Sequence, residues 1–297
     1  MSDLLNTYFD KITIVIVTFK SAYIIERCLD NLEDSYKKII VENSNDIDFT
    51  NKLKNKYKNI ECINIGYDSG FGFAVNRGVE QVKTDYFVCM NPDSFPDKDC
   101  IPIIYKTIVD TKAAKVTPIT CRKNTSSEFD DYGYFNKKKK QKKNTDNILK
   151  VDWVNGNLFI MKKDLFNNLG QFDENIFLNF DERDLQKRIY ESKLEILINF
   201  NAKSSHLEGK SADPKFSYQM KCEAAWHFAW SKFYFYKKYY NFYYSFIKSF
   251  PDFIINFLKF LIFYFLNKSK AKIFFLSTEG FFYAVFNKPA SYRAEII

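Results

Sequence analysis

The sequence predicts an α/β fold with a mostly parallel central sheet, followed by an aromatic-rich helical region. Between Ile12 and about Met90, apolar runs of strand length alternate with segments of helical spacing. This alternation is typical of a parallel sheet covered by helices on both faces. The last third of the chain changes composition and is dominated by Phe, Tyr and Lys. We therefore expect an α/β domain over residues 1–215 and a helical region over 216–297.

Each element of the first part follows from its own pattern. β-branched and apolar runs predict strands at 12–18, 38–42, 60–65 and 85–90, and apolar residues three and four apart predict helices at 22–32, 51–57 and 72–82. Right-handed crossovers bring the carboxyl ends of parallel strands to one edge of the sheet. Open α/β sheets bind their ligands at that edge.

The middle of the chain is less regular. Residues 122–150 are polar and include the basic run 137–143, which predicts a mobile surface excursion. It is either a solvated loop or a contact with anionic lipid headgroups. A strand-like segment resumes at 151–161, where Gly156 indicates a bend or the close approach of a ligand. A further strand is predicted at 195–200.

The aromatic region at 226–266 is also rich in lysine. Its final apolar run, 253–266, is about fourteen residues long and contains Lys259, so it is shorter than the roughly twenty residues that span a bilayer. Aromatic and basic residues together favour helices that lie in the membrane interface. The alternatives are helices that pack on the first domain or form a homodimer.

Composition and charge exclude several classes of protein. Aromatic residues make up 19% of the 297 residues, far too many for a disordered chain. The net charge of +8 comes from 44 basic and 36 acidic residues that are well mixed, which argues against a nucleic-acid partner. Six cysteines without a Cys-x-x-Cys pair indicate reduced residues in a cytoplasmic protein. The acidic N-terminus, which lacks a long apolar stretch, argues against a secretory signal.

Two carboxylates follow predicted strands. Asp93 stands after Pro92, which has no amide hydrogen for a sheet, so its side chain should emerge where the strand stops. Alone, it is a turn cap or a metal ligand. Glu42 ends the second strand, where it either accepts the imide proton of a pyrimidine base or caps the next segment.

Three further features carry chemistry. The glycine-rich turn at 64–78 opens a helix and allows backbone amides to approach phosphates or a sugar. Asp181, Glu182 and Asp184 stand at the start of an amphipathic helix, where acids offset the helix dipole or serve as a general base. His206 follows a predicted strand and is either a functional ligand or an ordinary loop histidine.

Taken in order, these segments resemble the family 2 glycosyltransferases, especially the rhamnosyltransferase-like branch that assembles bacterial surface polysaccharides. The matching segments are Ile14–Phe19, Val41–Ser44, Asn64–Gly78, Met90–Asp93, Trp153–Asn157, Phe180–Leu185 and His206–Ser211. No single motif is specific, whereas their order and spacing are.

The resemblance implies a GT-A fold with a nucleotide-diphosphate-sugar site at the carboxyl edge of the sheet. It assigns a divalent cation, Mg²⁺ or Mn²⁺, to Asp93 and His206, with Asn91 in place of a first acid. It assigns the catalytic base to Glu182 or to Asp181, and it leaves Asp184 and Arg188 to anchor the helix. The residues that it assigns to nucleotide-sugar binding are Thr18, Phe19, Glu42, Asn43, Gly70, Asn76, Asn91, Asp93, Asn155 and Gly156.

The expected function is metal-dependent, inverting hexosyl transfer. The donor would be a nucleotide-diphosphate sugar, with rhamnose, another deoxyhexose or a hexose, and the acceptor a lipid-linked or growing glycan of lipopolysaccharide or capsule. The enzyme would be peripheral on the inner face of the cytoplasmic membrane. A sugar nucleotidyltransferase is disfavoured because residues 18–22 lack its glycine-rich basic loop, and a membrane scaffold would leave the acidic motifs unexplained.

Overall fold

The computed structural model describes residues 8–122, 132–135, 147–207 and 209–295. The basic run predicted at 137–143 lies outside the described residues. The chain divides into two compact units. The first comprises Met1–Ser69, Phe73–Phe172 and Leu185–Asp213, and the second comprises Gly70–Gly72, Asp173–Asp184 and Pro214–Ile297.

The elements follow one another in an α/β order and end in three long helices. The strands are β1 (Ile12–Thr18), β2 (Lys37–Glu42), β3 (Ile60–Asn64), β4 (Tyr86–Met90), β5 (Ser94–Pro96), β6 (Lys115–Arg122), β7 (Tyr132–Gly133), β8 (Ile148–Val151), β9 (Trp153–Val154), β10 (Leu158–Lys162) and β11 (Ile196–His206). The helices are α1 (Ile25–Asp30), α2 (Ile47–Lys56), α3 (Phe71–Gln81), α4 (Cys100–Thr111), α5 (Lys163–Asn168), α6 (Asp181–Glu191), α7 (Ser217–Tyr239), α8 (Phe242–Leu266) and α9 (Lys268–Val285).

The central sheet of the first unit has the strand order β3-β2-β1-β4-β10-β6-β11-β5, and β8 also pairs with β11. The strands β3, β2, β1 and β4 are parallel. β10 is antiparallel to β4 and β6, whereas β11 is parallel to β6. The predicted α/β fold is therefore confirmed, with a parallel first half and a mixed second half.

Helices cover the two faces of this sheet, and every residue of β1 is therefore buried. On one face, Ile14 joins a core that includes Ile25 of α1. On the other face, α3 approaches closely at Gly78, where a Cβ atom would lie 2.6 Å from Cγ1 of Val15. Any side chain at this position would push α3 away from the sheet.

The second unit contains the three long helices α7, α8 and α9. Its core is built from aromatic residues that include Trp226, Phe233 and Phe281. At Gly280, a Cβ atom would lie 2.2 Å from the carbonyl oxygen of Trp226, so α7 and α9 meet backbone to backbone. The predicted aromatic-rich helical region is confirmed.

The helix α8 is longer than the sequence predicted. It spans 25 residues and includes Pro251, whereas the apolar run that begins at Phe253 covers only its second half. Among the described residues it is the one helix that is long and apolar enough to cross a membrane, with a mean hydropathy of 1.5 and 6% of that window buried. Length and composition alone are weak evidence for a span, since core helices of soluble proteins pass the same test. The sequence prediction missed that this helix begins at Phe242, eleven residues before the apolar run.

The cysteines agree with the sequence analysis. All six lie within the described residues, where none forms a disulfide bond, and Cys28, Cys89, Cys100 and Cys222 are buried. They act as small core residues.

Candidate functional site

Three parallel strands of the first unit end at one edge of the sheet. Thr18 of β1 pairs in register with Glu42 of β2, and Ile16 pairs with Met90 of β4. The residues that follow these strands therefore emerge at the same edge. Asp93 comes three residues after the end of β4, as the sequence predicted.

Glu42 is held in a fixed orientation at this edge. Its side chain is buried, Oε2 accepts a hydrogen bond from Oγ1 of Thr18 at 2.7 Å, and Oε1 accepts from the Ser44 amide at 3.0 Å and from the Ser44 hydroxyl. Burial raises the pKa of Glu42, and these hydrogen bonds offset part of that rise. The carboxyl group is thus held in place by residues at the ends of β1 and β2.

Asn43 and Phe19 continue the same edge. Asn43 is buried, its Oδ1 accepts from the Ser69 amide at 3.1 Å, and its Nδ2 donates to Asp68 at 3.2 Å. Phe19 is half-buried, and its amide donates to the Ser21 hydroxyl at 3.0 Å. Asn43 therefore ties the end of β2 to the start of the glycine-rich turn.

The side chain of Asn76, in α3, binds the backbone of Phe172. It is buried, its Nδ2 donates to the Phe172 carbonyl at 3.0 Å, and its Oδ1 accepts from the Phe172 amide at 3.0 Å. Both halves of the amide are used by one backbone residue. These contacts make Asn76 a residue that positions the chain before Asp173.

Asp93 and His206 meet through an antiparallel pair of strands. β11 is longer than predicted, with a register shift between Asn199 and Lys203, and it places His206 opposite Ser94 of β5. His206 Nε2 lies 3.1 Å from Oδ1 of Asp93, whose side chain is fully buried. The structure therefore brings together two residues that are 113 positions apart in the sequence.

The segment after His206 encloses the Asp93 carboxylate. The Ser211 hydroxyl donates to Oδ1 at 2.8 Å, and the Lys210 amide donates to Oδ2 at 3.2 Å. Burial raises the pKa of Asp93, but the hydrogen bonds and charge from His206, Ser211 and Lys210 outweigh it, so the pKa lies below its usual value. Sequence analysis assigned no separate role to Ser211 or Lys210, although both stand in the motif that begins at His206.

Asp93 Oδ1 and His206 Nε2 are atoms of the kinds that bind a divalent cation. The 3.1 Å between Oδ1 and Nε2 is the length of a hydrogen bond, and a cation held by both atoms would replace the proton between them. No group of three His, Cys, Asp or Glu side chains that could hold a metal occurs within the described ranges. The other ligands would have to be phosphate oxygens and water, which is common for Mg²⁺.

Asn157 links three strands, β5, β6 and β11, to the residue that follows β4. Its Nδ2 donates to the hydroxyls of Ser94 and Ser204 at 2.9 and 3.3 Å, and its Oδ1 accepts from the Thr120 hydroxyl at 2.8 Å. Its backbone carbonyl accepts from the Asn91 amide at 2.9 Å. Sequence analysis missed this role, although Asn157 ends the motif that contains Asn155.

Asn155 and Gly156 lie just before Asn157 in the chain. Asn155 is exposed and Gly156 is half-buried. A Cβ atom at Gly156 would lie 2.9 Å from Oγ1 of Thr117. The predicted close approach at this glycine is therefore to a protein side chain.

In the second unit, Gly70 is required by the backbone. Its φ angle is +86°, and a Cβ atom would lie 2.3 Å from the Phe177 carbonyl oxygen. That same carbonyl accepts a hydrogen bond from the Phe71 amide at 3.1 Å. The glycine-rich turn is thus fixed against the segment that precedes Asp181.

Asp181 and Glu182 begin α6 after two strained residues. Asn179 and Phe180 have φ angles of +63° and +65°, which are uncommon for residues other than glycine and concentrate at functional sites. Asp181 is buried and accepts from the Glu182 amide at 2.9 Å, whereas Glu182 is half-buried. The more accessible carboxylate of the pair is therefore Glu182.

The helix α7 holds the segment before Asp181. The Ser231 hydroxyl donates to the Leu178 carbonyl at 2.9 Å, and Asn179 donates to the Ala224 carbonyl at 3.3 Å. The Phe180 ring packs against Phe228 and Phe235. The C-terminal helices thus contribute directly to the placement of the acidic pair.

Asp184 anchors α6, as predicted. It is fully buried and accepts hydrogen bonds from Lys238 Nζ at 2.7 Å and from the Tyr239 hydroxyl at 2.8 Å. Lys238 also pairs with Asp173 at 2.7 Å, and Tyr234 donates to Asp173 at 3.0 Å. We call these five residues the Lys238 network.

A sheet that gathers buried carboxylates and a histidine at the carboxyl edge of its strands has the architecture of a nucleotide-binding α/β enzyme. Residues 13–170, just over half of the chain, match the profile of Glycosyl transferase family 2. The protein belongs to this family. The matched range ends before Asp181, so the acidic pair and His206 lie beyond it.

Similar proteins agree with this assignment. The rhamnosyltransferase WbbL of Escherichia coli (strain K12) is 24% identical over 201 residues, which cover 59% of this chain and 75% of WbbL. The structure of S. aureus TarS 1-349 in complex with UDP-GlcNAc has a TM-score of 0.52 at 12% identity. The alignment covers 97% of this chain and 94% of the TarS chain.

A second solved structure shares the fold over part of its length. GalNAc-T7 with UDP, GalNAc and Mn²⁺ has a TM-score of 0.53 at 12% identity. The alignment covers 76% of this chain but only about half, 49%, of the GalNAc-T7 chain. Together these likenesses show that the fold is of the GT-A glycosyltransferase type.

Proposed function

We propose that this protein is a metal-dependent, inverting glycosyltransferase. It transfers rhamnose, or another deoxyhexose or hexose, from a nucleotide-diphosphate donor to a hydroxyl group of a lipid-linked or growing surface glycan. The observation that carries the proposal is the pairing of Asp93 with His206 at the carboxyl edge of the sheet, since family membership alone does not assign a role to either residue. Structural relatives crystallised with UDP-GlcNAc, or with UDP and Mn²⁺, support this choice of donor and cofactor.

The donor-binding residues have separate tasks. The carboxyl group of Glu42, oriented by Thr18 and Ser44, suits an amide or imide N–H of a base. Asp93 and His206 would hold the divalent cation. When bound, that cation neutralises charge on the departing diphosphate.

The acidic pair of α6 performs the proton transfer. Glu182 takes the proton from the acceptor hydroxyl, and the oxygen attacks the anomeric carbon from the face opposite the diphosphate. The bond between that carbon and the diphosphate oxygen breaks, and its electron pair leaves with the nucleoside diphosphate. One displacement inverts the anomeric centre. Asp181, which is more buried, is the second candidate for the base.

We place the reaction at the inner face of the cytoplasmic membrane. Seven large apolar side chains of α8 recur at intervals of three and four residues, and each is at least 37% exposed. They are Tyr243, Ile247, Phe250, Ile254, Leu258, Leu261 and Phe265. We call them the α8 stripe. A helix with such a face suits the plane of a membrane interface.

A donor and acceptor assay tests the proposal. Purified protein is incubated with a panel of nucleotide sugars, Mn²⁺ or Mg²⁺ and an acceptor lipid extract, and both transfer and donor hydrolysis are followed. We expect transfer from one donor class only. If neither reaction occurs anywhere in a panel on which a related transferase is active, the proposed function is wrong.

Substitutions in α6 test the assignment of the base. Removing a general base typically costs 10²- to 10⁴-fold in rate, and we expect this loss for Glu182→Gln with unchanged donor binding. Asp181→Asn should cost less. Glu191→Gln, at the other end of α6, is the matched control. If Glu182→Gln and Asp181→Asn both keep full transfer, neither residue is the base.

A further inference from the structure

A cavity of about 300 Å³ lies among the three C-terminal helices. Its lining combines apolar and polar side chains, and it includes Phe228 of α7 and Ile255 of α8. These two residues are 46% and 50% exposed, so the cavity reaches the surface. Its volume is at the lower end of the range for small-ligand sites.

The polar part of the lining carries an excess of positive charge. It contains Lys232, Lys259 and one acid, Asp252. Lys232 is paired with Asp252 at 2.5 Å, and Lys259 lies 5.4 Å from the ring centroid of Phe274. Asp252 neutralises Lys232, and the positive charge of Lys259 therefore favours an anion in the cavity.

A buried hydroxyl group in the same lining has no partner. Ser249 is 3% exposed, and its Oγ atom makes no hydrogen bond to any residue that the structure describes. Leaving a buried polar group unsatisfied costs stability. A ligand oxygen in the cavity would remove that cost. Nearby, Asn256 Nδ2 donates to the Ser277 hydroxyl at 3.1 Å, which leaves the Ser277 proton for a second acceptor.

The apolar edge of the cavity adjoins the α8 stripe. Ile255 follows Ile254 of the stripe in the chain, and both are exposed. The stripe runs along a helix of 25 residues, which is about 37 Å long. A molecule that fits both features has an anionic group for the cavity and a hydrocarbon chain for the α8 stripe. An anionic lipid has both.

We propose that this cavity binds the phosphate-bearing headgroup of an anionic membrane lipid, with the lipid chains along the α8 stripe. Lys259 supplies the charge, and Ser249 and Ser277 donate hydrogen bonds to phosphate oxygens. A free phosphate ion would use the polar part alone. The inference rests on the proposed function only for the membrane-facing role of α8, and it does not require sugar transfer.

Titration calorimetry with short-chain lipids tests the proposal. The full-length protein is titrated with dihexanoyl-phosphatidylglycerol below its critical micelle concentration, with dihexanoyl-phosphatidylcholine and with inorganic phosphate. We expect one site for the phosphatidylglycerol, weaker binding of the phosphatidylcholine and none of phosphate. Lys259→Ala should weaken binding about fivefold, because one lysine near a lipid surface contributes about 1 kcal/mol. Lys268→Ala, outside the cavity, should bind within about twofold of wild type.

Ser249→Ala separates ligand binding from folding. Because it removes an unsatisfied buried hydroxyl, its thermal stability without lipid should equal or exceed that of wild type, while its lipid affinity should fall about tenfold. Equal binding of phosphate and phosphatidylglycerol, equal binding of the two lipids, or wild-type affinity in Lys259→Ala and Ser249→Ala would each overturn the proposal. Lipid binding without any transfer activity would refute the proposed function and leave this inference standing.

Discussion

Replacing Lys238 by methionine would remove the cation of the Lys238 network while keeping most of its apolar stem. The ammonium group pairs with Asp173 and Asp184 at 2.7 Å each. The side chains of these acids are 11% and 0% exposed, and that of Lys238 is 30% exposed. The substitution therefore leaves two acids in a largely buried site without a counter-charge.

The expected cost follows from burial and screening. Removing one partner of a fully buried ion pair costs 3–5 kcal/mol, whereas an exposed pair is worth at most about 1 kcal/mol. For a network that is partly open at the lysine, we expect a loss of about 2–3 kcal/mol in the free energy of unfolding. Lys238→Met combined with Asp184→Asn should cost less than the sum of the two single changes, by about 1–2 kcal/mol, because the substituted groups are in direct contact.

Urea unfolding at several pH values provides the measurement. Burial raises the pKa of Asp173, but hydrogen bonds from Lys238 and Asn175 outweigh it and leave the pKa below its usual value. Such an acid stabilises the fold above its unfolded pKa, about 3.9, and that contribution disappears as the pH falls through the folded pKa. The wild type should therefore lose stability in this acidic range, and Lys238→Met should lose less.

Lys237→Met is the matched control. Lys237 donates to the neutral side chain of Asn287 and is exposed in that contact, so its removal should cost less than about 0.5 kcal/mol. The reasoning fails if Lys238→Met and Lys237→Met are equally stable, or if Lys238→Met keeps the acid dependence of the wild type. Transfer activity is a second readout, since a displaced α6 start should lower kcat with little change in the KM for the donor.

Three further predictions address other parts of the molecule. Gly280→Val should destabilise the second unit by about 3 kcal/mol in urea unfolding, because its Cβ would lie 2.2 Å from the Trp226 carbonyl oxygen; unchanged unfolding would contradict the close packing. Because burial raises the folded pKa of Glu42, ionisation should cost stability as the pH rises from the unfolded pKa, about 4.3, through the folded pKa. Glu42→Gln should abolish this loss, and an unaltered profile would refute the prediction. Asp93→Asn should remove the Mn²⁺-dependent rise in thermal stability with UDP, whereas exposed Asp97→Asn should keep it; equal shifts in both variants would exclude Asp93 as a ligand.

Much of the first unit follows from local pattern. The β-branched run Ile12–Thr18 forms a strand with the predicted bounds, because a central parallel strand must be apolar on both faces. β5 was not predicted, since Ser94–Pro96 is short and lies next to Pro92. Its pairing with β11 joins residues 108 to 112 positions apart, which no local pattern reveals.

The candidate site was predictable as residue types but not as contacts. Asp93 and His206 were both expected at strand ends, yet their hydrogen bond depends on the irregular register of β11. Asn157 was overlooked because an asparagine beside a glycine reads as a turn residue. The full length of α8 was missed because a proline inside a helical pattern usually ends the helix, whereas α8 continues past Pro251.

The three-residue strand β5 has a consequence for how preparations of this protein should be judged. Side chains alternate between the faces of a sheet, so if β5 slipped by one residue, Ser94 would lie opposite Ser205 and the side chains of β5 would change faces. The adjoining Asp93 would then lose its contact with His206. Such a slip would alter a few backbone hydrogen bonds at the edge of the sheet and leave the main core intact. Circular dichroism and melting temperature would then report a fully folded sample that contains an incompetent fraction. The stoichiometry of Mn²⁺-dependent nucleotide binding would count the competent molecules, and specific activity should be normalised to that count.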